Sequence, residues 1–238
     1  MLKNQIPIRT DNWDITKPGF CEADTVAHCG NSLSGDFAWS LTLTDIFSAW
    51  TENRAIWGKG SLGVLEQIRD IEKRLPFTLL GFDCDNGSEF LNYHLIRYFG
   101  DRPKSRMVQF SRSRPYHKDD NAHVEQKNWT HVRQLFGYDR FGNKLLVILM
   151  NDLYRNEYSL LQNYFCPTMK LISKERINSK YRKKYDFPQT PYQRLLASDY
   201  ISPETKQKLI TTYSSLNPFV LRKNVENKLK AIFRLINK

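Results

Sequence analysis

Between Phe20 and Trp57 the chain alternates apolar with small or polar side chains, and from Gly60 the apolar spacing lengthens to that of a helix. That change of period constrains the fold more than any other feature. A period of two writes half-buried strands, and a period near 3.6 writes amphipathic helices. Phe20–Cys29, Phe37–Phe47 and Trp50–Trp57 are three closely spaced strands, with NSLSG (31–35) and the 47–50 segment as turns, so they predict an antiparallel meander. Leu62, Leu65, Ile68, Ile71 and Leu75 then recur at helical spacing until Pro76. Phe77–Cys84 is nearly continuous in apolar residues, as in a strand covered on both faces.

The alternation continues. Ser88–Phe99 predicts a helix, Arg106–Phe110 a short strand, Asp119–Phe136 a helix with an Asp or Asn cap, and Lys144–Phe165 a long helix. In the last, Leu145, Ile148, Leu149, Leu153 and Tyr154 are expected on the apolar side. The order β-β-β-α-β-α-β-α-α predicts an α/β protein with a mixed five-stranded sheet and helices on both faces. Residues 1–17 are expected to be an extended polar lead-in, 18–165 the core, and 166–238 a basic, mainly helical extension, with Val225–Ile236 amphipathic.

Charge divides the chain in the same place. The net charge is +11, and residues 166–238 alone carry 16 Lys+Arg against 5 Asp+Glu, so the excess lies in the last third. Concentrated positive charge suits a polyanion, nucleic acid above all. Within 170–186 the cations Lys174, Arg176, Lys180, Arg182, Lys183 and Lys184 are interleaved with Tyr181 and Tyr185, a composition suited to contact with a nucleic-acid backbone. The four cysteines form no CxxC pair, which argues against a structural zinc site and for free thiols. No run of 18 apolar residues occurs and the first residues hold no apolar signal segment, so a cytoplasmic, nucleoid-associated protein with no membrane span is expected. A phosphate-binding Walker loop, a dinucleotide fingerprint and a GxSxG elbow are all missing.

Three acidic residues stand in chemically suggestive places. Asp24 lies inside the apolar run of the first strand, where an unpartnered carboxylate is costly. Asp85 ends the buried strand, just before the Asn86–Gly87 turn, with Asp83 a neighbouring acid two residues earlier. Glu125 lies on a helix and shares its face with Asn128, Trp129 and Val132. Glu89 reads as a first-turn helix acid. Asp119 and Asp120 read as caps or solvated charges. Carboxylates from two strands and a helix, gathered at one point, suit hard divalent cations, and two such ions can drive phosphodiester chemistry.

DTVAH (24–28), DNGSEF (85–90) and NAHVEQKN (121–128), with 39 residues between Asp85 and Glu125, resemble the three acidic motifs of the retroviral-type integrase core shared by bacterial insertion-sequence transposases. The resemblance spans about residues 12–165. It implies an RNase H-like fold, a Mg²⁺-dependent polynucleotidyl transferase acting on DNA, two Mg²⁺ ions (Mn²⁺ as substitute), and a homo-oligomer. Asp24 would bridge both ions, with Asp85 on one and Glu125 on the other. The connection at 102–118, with Arg112, Arg114, Tyr116, His117 and Lys118, would be a DNA-touching loop, and Asn128 would meet substrate or a ligand. Transposases of this type carry an N-terminal helix-turn-helix ahead of the core. Here the acidic pattern begins by Asp24, so a separate recognition polypeptide, a full-length transposase partner, a fragment or a remnant is expected. A DNA-binding module without chemistry and an RNase H-like nuclease that only hydrolyses are the alternatives.

Overall fold

The computed structural model describes residues 4–9, 15–114 and 118–236, with the side chains of Lys118 and Asp119 left aside. β1 (Phe20–Ala27), β2 (Ala38–Asp45) and β3 (Thr51–Trp57) form the expected antiparallel meander. After α1 (Ser61–Glu72), β4 (Gly81–Cys84) pairs parallel with β1, and after α2 (Tyr93–Gly100), β5 (Gln109–Arg112) pairs parallel with β4. The strand order is β3-β2-β1-β4-β5. This is the mixed sheet of the RNase H-like fold. A short crossover helix between parallel neighbours is the economical way to return the chain to the same sheet edge.

Each strand sorts its residues by face. Cys21, Ala23, Leu41, Leu43, Phe82 and Cys84 point into a core closed by α1 and α2. Of the apolar positions expected on α1, Leu65, Ile68 and Ile71 are buried together with Val64, whereas Leu62 is 57% exposed. The other face carries Glu22, Asp24, Val26, Ser40, Thr42 and Thr44. It is covered by α3 (Ala122–Lys127), a π-helical turn (Asn128–Arg133), α4 (Gln134–Phe136), α5 (Leu145–Leu153), a second π turn (Tyr154–Tyr158) and α6 (Ser159–Phe165). The two expected long helices therefore each contain a wider turn. In the second, the apolar side is turned from the expected one. Leu146, Met150, Leu153 and Tyr154 are buried, and Leu145 and Ile148 are 57% and 65% exposed.

Several expectations fail at element ends. The strand expected from Phe77 begins at Gly81, and the one expected over Arg106–Phe110 runs from Gln109 to Arg112, after a 3-10 turn at Lys104–Arg106. The helix expected from Ser88 begins at Tyr93, because Asn92 caps it by accepting from Leu95 N, and 85–92 is a loop. The lead-in is more than an extended polar tail. Ile6 is buried, and Pro7 and Arg9 hydrogen-bond the backbone of Arg112, adding a rung beyond β5.

The basic stretch after Cys166 is not helical at first. β6 (Leu171–Ile177) and β7 (Lys180–Tyr185) form an antiparallel hairpin whose every residue is exposed. Helices follow: α7 (Pro191–Ala197), α8 (Pro203–Ser215) and α9 (Pro218–Ile236). Leu221, Val225 and Ile232 of α9 pack into the same cluster as α5 and the second π turn. All four cysteines are free.

Candidate active site

Asp24 stands in the middle of β1, beside the C-terminal end of β4, where a parallel strand delivers the chain into a loop. Burial, followed by the charge of Asp85, raises its carboxyl to about 7; the Thr25 N–H opposes this, and Glu89 and Glu125 add to it. Acids from the β4–α2 loop and from α3 thus all act on Asp24 of β1, and Glu89 acts on Asp85 as well. Asp85 is also raised, by burial first and by Glu89, against the hydrogen bond from Gly87 N at 2.9 Å and the charge of Lys59. Glu125 is exposed on α3. Asn128, at the next helical turn, donates from Nδ2 to Asp24 Oδ2 at 2.7 Å.

Glu89 belongs to this cluster, and the sequence did not reveal it. It is 1% exposed, too far before Tyr93 to be a helix acid. Thr25 Oγ1 donates to its Oε1 at 2.9 Å, and Lys59 Nζ pairs with the same atom at 2.9 Å. Gly87 makes room: a Cβ there would lie 2.4 Å from Glu89 Oε2. The one available signal was the Gly two residues before the acid. Lys59, in the loop after β3, also lies over the Trp39 ring at 5.0 Å.

Behind the cluster, Glu22 precedes Asp24 by two residues and so shares its face. Its Oε2 accepts from the backbone N–H groups of His123 and Val124, at 3.0 and 3.1 Å. The helix that carries Glu125 is thereby capped from a strand. Asn121 occupies the cap position, but its side chain accepts from no N–H of the helix. Arg9 bridges Glu22 and Asp83 at 3.6 Å each, and Ser111 Oγ donates to Asp83 Oδ1. Asp83 is therefore a supporting acid. Asp120 accepts from Arg114 N, Nε and Nη2, and is neither a helix cap nor a free charge.

The expected DNA contacts are placed unevenly. Arg112 is turned inward, donating to Ile6 O and Asn86 Oδ1. Arg114 is half-exposed beside Asp120. Tyr116 and His117 lie outside the described residues, and for Lys118 only the backbone is described. Lys174, Arg176, Arg182, Lys183 and Lys184 all stand on the exposed hairpin, Lys174 over the Tyr181 ring and Arg176 Nε on Asn178 O.

Among the described residues no three His, Cys, Asp or Glu side chains are set closely enough to enclose one ion. The donor set still suits Mg²⁺, which takes one or two carboxylates and completes its shell with water and substrate phosphate. Two oxygens of the cluster, Glu89 Oε2 and Asn128 Oδ1, are buried without a hydrogen-bond partner among the described residues. Such atoms call for a cation or a donor.

No protein-family model matches the chain. The uncharacterized protein y4rM of Sinorhizobium fredii (strain NBRC 101917 / NGR234) is 36% identical over 194 residues, 81% of this chain and 54% of that protein. The chain thus spans about half the length of the curated relative it matches. Among solved structures, the HTLV-2 integrase catalytic core in complex with magnesium is 17% identical, with 63% of this chain and 90% of that one covered and a TM-score of 0.44. A chain of the simian T-cell lymphotropic virus intasome in complex with PP2A regulatory subunit B56 gamma gives 13%, 77% and 72%, and 0.49. The BIV integrase catalytic core gives 16%, 74% and 91%, and 0.39. These values add nothing to the topology already described.

Proposed function

We propose that the chain is a divalent-metal-dependent polynucleotidyl transferase that cuts a DNA strand and joins its 3′-hydroxyl to a second DNA. The observation that carries this reading is the electrostatic coupling of Asp85, Glu89 and Glu125 to Asp24, with Asn128 bonded to Asp24. Asp24 and Asp85 would hold Mg²⁺ or Mn²⁺ together with Glu125. Bound there, two such ions would sharpen the attacking oxygen and steady the leaving one. Asn128 orients the Asp24 carboxylate. Lys59 neutralises Glu89 at one oxygen and leaves the other unsatisfied. Glu22 fixes the helix that presents Glu125.

DNA and a second copy of the chain are the proposed partners, with end recognition supplied by a further segment or polypeptide. The +11 excess of residues 166–238, much of it displayed on the exposed hairpin, supports a nucleic-acid substrate. A labelled-duplex assay with Mg²⁺ or Mn²⁺ tests the reading. Cut and joined products are expected from the wild type and neither from Asp24→Asn, Asp85→Asn or Glu125→Gln. Cut products alone would leave hydrolysis, and salt-sensitive binding without cutting would leave a DNA-binding module.

A further inference from the structure

On the side of α3 away from Asp24, between the end of β2 and the base of the β6–β7 hairpin, lies a cavity of about 530 Å³. That size suits a small organic ligand. Lys127, Lys170 and Lys183 line it, and the one acid among its described lining residues, Asp45, is already bonded by Gly19 N, Ser48 N and Ser48 Oγ. Lys170 Nζ donates to Phe47 O. Lys127 is 6% exposed, and its ammonium makes no hydrogen bond or ion pair with any described residue.

A largely buried lysine that meets no acid among the described residues is costly to keep charged, and an anion arriving from outside would offset the cost. A bare inorganic anion would leave the rest of the cavity unused, because Tyr185, Leu171, Met169 and Ile46 form an apolar and aromatic wall. A ligand with one anionic group and one flat or apolar group matches both halves. The cavity mouth opens on β7, whose exposed Arg182, Lys183 and Lys184 continue the positive surface.

We propose that this cavity holds one nucleotide of a nucleic-acid strand, its phosphate at Lys127 and Lys170 and its base against Tyr185, while the strand runs on along the hairpin. The inference rests on the nucleic-acid part of the proposed function and on none of its chemistry.

The test is anisotropy of a labelled oligodeoxythymidine in EDTA, across a range of salt. Lys127→Met should weaken binding about tenfold and lower the slope of log affinity against log salt by about 0.7. Tyr185→Ala, at a half-exposed position, should weaken binding about tenfold through lost stacking, and it decides the matter if Lys127→Met does not fold. Unchanged affinity in a folded Lys127→Met, or in Tyr185→Ala, overturns the proposal. Metal-free binding that depends on Lys127 in a protein that never cuts DNA would sink the enzymatic reading and keep the cavity. Cutting by a protein whose binding ignores both substitutions would do the reverse.

Discussion

Asn128 Nδ2 donates to Asp24 Oδ2 across 2.7 Å, joining residues 104 positions apart and fastening the first turn after Glu125 to the middle of the sheet. A π turn begins at Asn128, at the residue whose side chain reaches down to β1. Asn128→Ala should cost about 1 kcal/mol of stability, the worth of one hydrogen bond, and a much larger fraction of strand cleavage. Chemical denaturation and cleavage rates, measured on the same sample, separate the two effects.

The contribution of Asp24 and Glu22 to the stability of the metal-free protein should fall as pH rises from 4 towards 7, against an opposite contribution from His28, His123 and His131, whose imidazoles burial holds below their ordinary 6.5. Asp24 has an ordinary value of 3.8 and is raised to about 7 in the fold, and Glu22 is raised from 4.5 to about 7, both chiefly by burial. At these two carboxyls the folded state therefore binds more protons than the unfolded chain in this window, so their contribution falls through it and levels off above it. Asp24→Asn should remove its share and stabilise the metal-free protein at pH 8 by roughly 1–3 kcal/mol. Melting in EDTA at pH 5 and pH 8 reads this directly.

Divalent cations should reverse that trend. They bind the deprotonated carboxylates, so the Mg²⁺-induced rise in melting temperature should be larger at pH 8 than at pH 5.5. In Asp24→Asn and Asp85→Asn the rise should shrink at both pH values.

Glu22 acts as the cap of α3 and as the partner of Arg9. Glu22→Ala should cost about 3–5 kcal/mol, because Arg9 loses one of the two acids it bridges and two helix N–H groups lose their acceptor. Glu22→Gln keeps an acceptor and should cost less. If both variants denature at the wild-type urea midpoint, the cap has no structural weight.

Gly87→Ala should push the Glu89 carboxylate out of the cluster, since the new methyl would meet it at 2.4 Å. The Lys59 pairing would go with it. Weaker Mg²⁺ binding with a nearly unchanged fold is the expected result, read by calorimetry and circular dichroism.

The sheet was legible because its strands are written in period two and its first helix in period 3.6, and both patterns face real cores. The hairpin was not, because all residues of β6 and β7 are exposed and nothing forces their apolar positions to alternate. Asp24 showed itself as a charge inside an apolar strand. Glu89 did not. Ser88–Glu89 has the composition of a helix start, and only the Asn92 cap, four residues on from Ser88, shows that the loop continues. Glu22 was hidden for another reason: it works on a backbone about a hundred residues away, and no local pattern records that.

The most direct measurement is an anomalous difference map from a crystal soaked in Mn²⁺. A peak bound by Asp24 and Asp85, with Glu125 turned towards it, is the result predicted here. A peak elsewhere, or none at saturating Mn²⁺ with all three carboxylates in view, would contradict it.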